Sequence, residues 1–508
     1  MGKRLLSKFL FNIFIIYHNK IGDIMKNISV WKTTSKTNSN NKKMENNIKC
    51  DVLIIGGGIT GLSTALYLDE SGKKVILIDK SNIGNGVTAN STGKLTIMQD
   101  VIYSKIEKAT NFNTALNYYK SQKCALKLID SIIKKYNIDC DYKKSSSITF
   151  VDDIKGILNL EHEEKFYQKA KIKYKKIQKL DNGYPITYGL QIDNMHVFNP
   201  LKFILEIKQK LKNVEIYEHV SAESIKKSRN LYKIKTNKGI IFAKKIVVAT
   251  HYPFFIKPGF IPFRTHIEKS YLLAAKVNKI YDFNAINCGE KVTSMRYYQD
   301  FLVMSNNSHV TTDKDNYNKN FQDSCNKFIK NFKGQIEYIW SNHDVMTNDN
   351  MPYIGNVDRN LFIATGYNKW GLLNGVLAGK IISDSVLNKK NHYKNLFSLT
   401  RNGNLVKFVS SIKSNTETAK TYIKMHLTKP NKYKLIYSTK NNKDIVTYKQ
   451  GKKEYSVYNK CPHMGCKLLF NEKEKTWDCP CHGSRFDLKG KCIFGPSTYS
   501  ISIDEKTK

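Results

Sequence analysis

Six residues between positions 461 and 482 carry the densest chemistry in this chain. They fall in two boxes: Cys461-Pro-His463-Met-Gly-Cys466, then, after a twelve-residue gap, Cys479-Pro-Cys481-His482-Gly-Ser484. Thiolates are soft donors, and imidazole suits iron and zinc alike. Two chemistries fit these donors. One is an iron–sulfur cluster with thiolates on one iron and imidazoles on the other, a centre that passes one electron at a time. The other is a zinc ribbon, in which paired Cys/His boxes close a tetrahedral site.

The order of the donors favours the first. Zinc boxes rarely read Cys-x-His-x-x-Cys followed by Cys-x-Cys-His, and a Gly495-Pro496 pair follows. The segment resembles a Rieske domain, in which such a Gly-Pro loop shields the cluster. That resemblance implies Cys461 and Cys479 on one iron, His463 and His482 on the other, and a disulfide between Cys466 and Cys481, as in Rieske proteins of the cytochrome bc type. It also implies that Ser484 hydrogen-bonds a bridging sulfide. Phe486 stands where high-potential relatives often carry a tyrosine hydroxyl. Neutral imidazoles lift the potential above that of all-Cys clusters, and one donor fewer holds it to a middling value.

A second pattern lies near the start. The apolar stretch Cys50 to Ile55 runs into Gly56-Gly-Gly58-Ile-Thr-Gly61, followed by a helical pattern from Leu62 to Asp69. Gly56 allows a tight turn, Gly58 lets the backbone approach a pyrophosphate, and Gly61 permits close helix packing, so phosphates sit on a helix N-terminus. A second strand, Val75 to Ile78, ends at Asp79, 21 positions after Gly58, where a carboxylate can accept both ribose hydroxyls. This fingerprint fits FAD and NAD equally, because both present the same adenosine diphosphate half.

Other segments decide between them. Lys245 to Ala249 and Leu361 to Ala364 read as returns of the chain to the same sheet, and the latter leads through Gly366, Trp370, Gly371 and Asn374 into a helix from Val376 to Leu387. The dipole of that helix can stabilise negative charge on the pyrimidine edge of a reduced flavin. Together with Ser29-Val-Trp31, Gly86 to Thr96, Ala249 to Pro253, Trp340 to Asp344 and Pro352 to Gly355, these segments resemble the bacterial FAD-dependent oxidoreductases of the D-amino-acid oxidase (glycine/sarcosine oxidase-like) superfamily that carry a C-terminal Rieske domain. The likeness covers residues 25 to 508. It implies an α/β FAD-binding domain (Rossmann-like, glutathione-reductase-type), an inserted α+β substrate domain and a small all-β Rieske domain. The implied cofactors are FAD and a 2Fe-2S cluster; the substrate class is an amine or amino acid.

Beyond Gly56, Gly58, Gly61 and Asp79, the residues expected around the cofactor are Lys80, Thr88, Asn90, Thr92, Lys94, Val220, Gly366, Gly371 and Asn374. Lys94 would approach the flavin through the Gly93 turn, where a cation stabilises the reduced form, or else contact phosphate or solvent. Arg296 could pair bidentately with a substrate carboxylate, against a reading as a surface or sheet-edge arginine. His251, Tyr252, His343 and Lys369 are candidates for proton acceptors or substrate clamps, against structural roles. Two departures from the family, Ser305-Asn-Asn-Ser308 in place of a Gly-rich turn and His343 in place of an amide, fall in the expected substrate pocket.

The elements that must position these groups divide the chain as follows. Residues 1–47 form an N-terminal extension, 48–388 the FAD-dependent oxidoreductase unit, 389–425 a polar linker ending in a short helix, and 426–508 the cluster domain. Within the oxidoreductase unit the FAD parts are about 48–100, 196–255 and 336–388, and the substrate parts about 101–195 and 256–335. From Tyr433 short strands alternate with turns such as Lys440-Asn-Asn-Lys443, as a small β domain requires.

Composition bounds the partners. The 508 residues include 83 basic and 43 acidic ones, a net charge of +40, and 41% are hydrophobic, enough for true cores. The lysines are scattered, with no nucleic-acid module, so nucleic acid is not expected; an acidic electron carrier or a membrane surface is the anionic partner that fits. The apolar run Phe9 to Tyr17 is too short to span a bilayer, and Met25 reads as a natural start, so residues 1–24 are read as a misassigned start, with a weak signal or anchor as the other reading. The ten cysteines suggest no secreted disulfide framework, and a cytoplasmic protein is expected. A flavin takes two electrons and the cluster one, so the expected function is an amine or amino-acid dehydrogenase passing electrons from FAD through the cluster to an external acceptor. The alternatives are a reductase running from cluster to flavin to substrate, and a redox carrier or sensor without turnover.

Overall fold

The structure, a computed structural model, describes residues 25–35, 42–44, 47–311, 317–401 and 435–503. The expected misassigned start, most of the linker with its short helix, and the first residues of the cluster domain lie outside the described residues.

Uninterrupted runs of Val, Ile and Leu suit strands buried on both faces, and the chain uses them to build a mainly parallel sheet. Its order is Tyr353–Asp358, Leu361–Thr365, Gly239–Val248, Ile48–Ile55, Val75–Ile78 and Val214–Tyr217. All pairs but the first are parallel, and the Ala222–Ser228/Leu231–Thr236 hairpin extends the sheet from Gly239–Val248. From Ile48–Ile55 the chain first winds one way, to Val75–Ile78, and later returns on the other side, at Gly239–Val248. The carboxyl ends of strands flanking such a reversal form the crevice where ligands bind in open α/β sheets. Gly56 turns out of the first strand there at φ +108°, with Ala249 so close that a Cβ on Gly56 would lie 2.6 Å from its carbonyl oxygen. The helix that follows, Ile59–Leu68, starts one turn earlier than its pattern predicts. A Cβ on Gly61 would lie 1.8 Å from the Gly56 carbonyl oxygen, so only glycine lets this helix pack on its own turn.

A second, larger mixed sheet stands over this crevice. Its order is Gln335–Thr347, Thr265–Lys276, Phe301–Val310, Ser294–Tyr298, Phe283–Asn287, Lys143–Val151, Tyr188–Val197 and Lys94–Leu95. Two segments expected in the nucleotide unit belong here instead. Residues 335–347 pair along their length with Thr265–Lys276, and Lys94–Leu95 pairs with Tyr188–Val197. In both cases a partner strand distant in sequence settles the matter. The lysine-rich helices Ile102–Ala109, Phe112–Tyr136 and Ile154–Lys169 bury an aromatic cluster of Tyr103, Tyr118, Phe166 and Tyr167. Residues 389–401, expected as linker, are anchored to the body: Phe397 is buried, and Arg401 forms a bidentate pair with Asp349 at 2.9 Å.

The C-terminal region is all β. Leu435–Lys440, Lys443–Gln450 and Lys453–Tyr458 form a meander, and Asn441 and Asn442 close its first hairpin with positive φ at both positions. Leu469–Asn471, Thr476–Asp478, Arg485–Phe486 and Cys492–Phe494 form a second small sheet around Trp477 and Phe486.

Candidate functional site

One cavity begins at the glycine turn and extends beneath the larger sheet. It is lined by Gly56, Gly58, Asp79, Lys80, Thr88, Asn90, Thr92, Lys94, Val220 and Gly371, ten of the residues expected around the cofactor. Asp79 accepts from the Gly57 amide at 2.7 Å and the Ser81 amide at 2.8 Å, while burial pushes its carboxyl up against those bonds. Thr88 Oγ1 accepts the Ile59 amide at 3.1 Å, fixing the first turn of the helix that faces the cavity. Lys94 is buried, donates to Ser294 and lies 5.6 Å from the Trp370 ring centroid. Burial, then the Arg296 charge, lowers it to about 7, and it has no salt bridge among the described residues. An ammonium held this way is matched by an anion, such as reduced flavin. With the glycine cradle, the helix N-terminus and the Asp79 carboxylate, the residues fit a dinucleotide of the FAD type.

Three expected cofactor residues do not line the cavity. Gly61 packs the helix. Gly366, at φ +73°, faces Thr347, where a Cβ would lie 2.4 Å from the Thr347 methyl group. Asn374 is buried within its helix, with its amide tied to Gln122, Tyr118 and the Trp370 carbonyl. That helix, Gly371–Val386, starts five residues earlier than expected, which brings its N-terminus to the cavity wall.

The catalytic candidates divide. His251, Tyr252 and Lys369 line the cavity; Arg296 and His343 do not. Arg296 is 1% exposed, and its guanidinium donates to the carbonyls of Gly93 and Phe198 at 2.6 and 2.8 Å and to that of Tyr297 at 3.2 Å, beside the rings of Trp31 and Tyr298. Nε and Nη1 donate to main chain and the side chain does not line the cavity, so the expected pairing with a substrate carboxylate gives way to a scaffold role under the Gly93 turn. His251 is held neutral, at about 4, chiefly by burial. Burial pushes the Tyr252 hydroxyl up. Lys369 is paired with Glu268 at 2.7 Å, and Ser308 bridges the two at 2.6 and 2.8 Å. Burial would raise Glu268, but His266 and Lys369 outweigh it and hold the carboxyl well below the usual range.

His343 reports a feature hidden in the sequence. In a strand, successive side chains point to opposite faces. Glu268 pairs with Asp344 and Ser270 with Asn342, and the four alternate with the facing pair Lys269 and His343. Ser270, Asn342 and Asp344 line the cavity, whereas Lys269 and His343 meet the C-terminal domain on the far face. His343 stacks on Phe494 with ring centroids 4.8 Å apart, and Phe494 also lines the cavity and lies 5.9 Å from His251. The buried Lys269 ammonium reaches Glu474 at 2.8 Å and Asp478 at 3.1 Å, and Arg485 holds the same two carboxylates at 2.9 and 3.2 Å. Burial would raise both carboxyls, but Arg485 and Lys269 outweigh it and hold them well below the usual range. Sequence reasoning missed this group. Its only trace was the Glu268-Lys269 pair shortly before the apolar run Tyr271 to Ala275 of the strand Thr265–Lys276.

In the cluster loops, the Gly465 amide donates to the Cys461 carbonyl at 2.9 Å and the Gly483 amide to the Cys479 carbonyl at 3.0 Å, closing two similar turns. The Cys461 and Cys479 thiols act on one another electrostatically, and the His463 and His482 ring centroids lie 4.9 Å apart. Both nitrogens of His463 and Nδ1 of His482 are buried without a hydrogen-bond partner. Orphaned imidazole nitrogens on the same two loops as these thiols fit the mixed donor set of a 2Fe-2S cluster. The Ser484 hydroxyl contacts the Cys461 thiol and accepts from the Ser497 amide at 3.2 Å. The sulfurs of Cys466 and Cys481 lie 1.98 Å apart, at bonding distance; with Cys479 they form a tight group of three sulfurs, two of them joined to each other. Phe494, Gly495, Ser497 and Thr498, from the segment around the Gly-Pro pair, also form a wall of the cavity. Among the described residues no helix is long and apolar enough to cross a membrane.

Comparison with known proteins agrees with this architecture. Residues 51–385 match the FAD dependent oxidoreductase family and residues 427–503 the Rieske [2Fe-2S] domain. Among similar proteins, YhfW of Bacillus subtilis, designated a Rieske 2Fe-2S iron-sulfur protein, is 29% identical over 492 residues, covering 92% of this chain and 95% of its own. Gamma-glutamylputrescine oxidoreductase of Escherichia coli is 24% identical over 67% of this chain and 84% of its own. The glycine oxidase of Geobacillus kaustophilus shares the fold with a TM-score of 0.59 at 16% identity, over 70% of this chain and 100% of its own. The chain is an enzyme that belongs to the FAD dependent oxidoreductase family and carries a C-terminal Rieske [2Fe-2S] domain.

Proposed function

We propose that this protein is an amine or amino-acid dehydrogenase that delivers electrons one at a time, through its C-terminal domain, to an external acceptor. The observation that carries this reading is the strand pair Thr265–Lys276 and Gln335–Thr347, which presents one face to the cavity and the other to the cluster domain. FAD supplies two-electron oxidation of the substrate, and a 2Fe-2S cluster supplies one-electron exchange. Gly56, Gly58 and Asp79 would hold the adenosine diphosphate half, and Lys94 would offset negative charge at the flavin end. Cys461, Cys479, His463 and His482 would hold the cluster, with the Cys466–Cys481 pair as a clamp across its two loops. His251, neutral over the ordinary pH range, stands beside Phe494 at the wall shared by the two sites.

The substrate amine loses two electrons and two protons to become an imine, which water hydrolyses. The net positive charge favours an acidic one-electron acceptor. Six cysteines that are neither paired nor assigned to the cluster suit a cytoplasmic location. The test is an anaerobic visible-absorption screen of the holoprotein against amines, amino acids and nicotinamide nucleotides, following flavin and cluster bands together. Bleaching of the flavin by an amine or amino acid, with the cluster following, is expected. Filling of the cluster first, by a reduced iron–sulfur or nicotinamide carrier and with no organic donor active, would overturn the direction proposed.

A further inference from the structure

We propose that the cavity is built for an amine with no carboxylate on the carbon that bears its nitrogen, and that Asp344 anchors the substrate's ammonium group. This rests on the dehydrogenase reading above and narrows it.

Asp344 lines the cavity from the Gln335–Thr347 strand. Its carboxylate has no hydrogen bond or ion pair among the described residues, and the charges it feels are those of Lys369 and Glu268. Lys369 is already matched by Glu268 at 2.7 Å, so two carboxylates and one ammonium leave this end of the cavity with one negative charge. A carboxylate that lines a cavity and lacks a partner calls for a cation. Burial raises the Asp344 carboxyl to about 6, and an ammonium beside it would restore the stabilisation that burial removed.

No arginine is among the described lining residues, and Arg296 is turned into the scaffold. The cation left for a carboxylate at the sheet is Lys94, which is tied to Ser294. Ser294 lies on the third strand over from the one that carries Asp344. Three strand spacings amount to about 14 Å. An α-amino acid bears both charged groups on one carbon, so it cannot reach Asp344 and Lys94 together. With its ammonium at Asp344, its carboxylate would meet the neutral groups of Ser270 and Asn342, and the lining cation beside them, Lys369, is already paired with Glu268.

The test uses the full-length holoprotein under anaerobic conditions and a series of primary n-alkylamines, each matched to the α-amino acid from which decarboxylation would produce it. Binding is read from displacement of the flavin absorption band and turnover from its bleaching. The amines are expected to bind at least about tenfold more tightly than their matched amino acids, and Asp344→Asn, checked for retained flavin and an unchanged melting temperature, to lose about tenfold or more in amine affinity without losing affinity for the amino acids. Equal or tighter binding of the amino acids, amine affinity unchanged in Asp344→Asn, or no amine binding at all would overturn the inference. Amines that bind as expected but never bleach the flavin would leave the ammonium site standing and remove the dehydrogenase reading. Amino acids that bleach it faster than their matched amines would do the reverse.

Discussion

Replacing Lys269 with methionine tests whether the cluster domain is fixed against the oxidoreductase body. The Lys269 side chain is fully buried and reaches Glu474 and Asp478 at 2.8 and 3.1 Å, while Arg485 faces the same carboxylates. The four charges sum to zero. Lys269→Met leaves two buried carboxylates against one guanidinium. Removing one partner of a buried, hydrogen-bonded charge group costs about 3–5 kcal/mol. At about 1.4 kcal/mol per factor of ten, the docked arrangement should be weakened roughly a hundred- to a few-thousand-fold relative to an opened one. Native-state hydrogen exchange on the holoprotein reads this directly. Backbone amides of Gln335–Thr347 and Thr476–Asp478 should lose protection, while those of Ile48–Ile55 keep theirs. The double variant Lys269→Met/Asp478→Asn returns the group to neutrality and should recover at least half of the loss. Unchanged protection in Lys269→Met would refute the argument that this group holds the domains together.

The same group sets an acid limit: its carboxyls are depressed in the folded protein, so their contribution is complete above their unfolded values near 4 and fades as pH falls below that, an undocking visible by hydrogen exchange in an acid titration. Gly61→Ala places a methyl group 1.8 Å from the Gly56 carbonyl oxygen and should lower FAD affinity at least about tenfold with a fall in melting temperature; full FAD occupancy in the purified variant would contradict it. Arg296→Met orphans several buried carbonyls and should cost about 2–5 kcal/mol in denaturant unfolding, with KM of the folded fraction changed less than about threefold; a large rise in KM at unchanged stability would restore a substrate role. Cys461→Ser should abolish the cluster's visible bands and iron content while leaving flavin bound, whereas Cys466→Ala, which opens a link across 15 residues, should keep the ligands and lose about 3 kcal/mol in the stability of the C-terminal domain.

Much of this molecule is legible in local order. The glycine turn, its flanking strands and Asp79 act within some thirty consecutive residues, where strand, turn, helix and acid must follow one another for a pyrophosphate to meet a helix N-terminus. The cluster ligands fall in two short boxes, and an iron's preference for sulfur or nitrogen leaves few alternatives to that donor order. The hairpin at Asn441-Asn442 is likewise a matter of adjacent residues that tolerate positive φ.

The substrate side and the joint between the domains could not be read in that way. Whether Arg296 faces a ligand or the Gly93 turn depends on carbonyls of residues 93 and 198, far away along the chain. His343 and Asp344 are neighbours in sequence, yet one meets the cluster domain and the other the cavity, because a strand alternates its faces and only pairing with Thr265–Lys276 fixes which face is which. Lys269 looks like one surface lysine among many until Glu474, Asp478 and Arg485 arrive from some two hundred residues further on. The sequence by itself determined the two cofactor chemistries, because their ligands are local and chemically specific. Only the tertiary structure decided which charges are spent on one another and which remain for a substrate, because charges pair through space rather than along the chain.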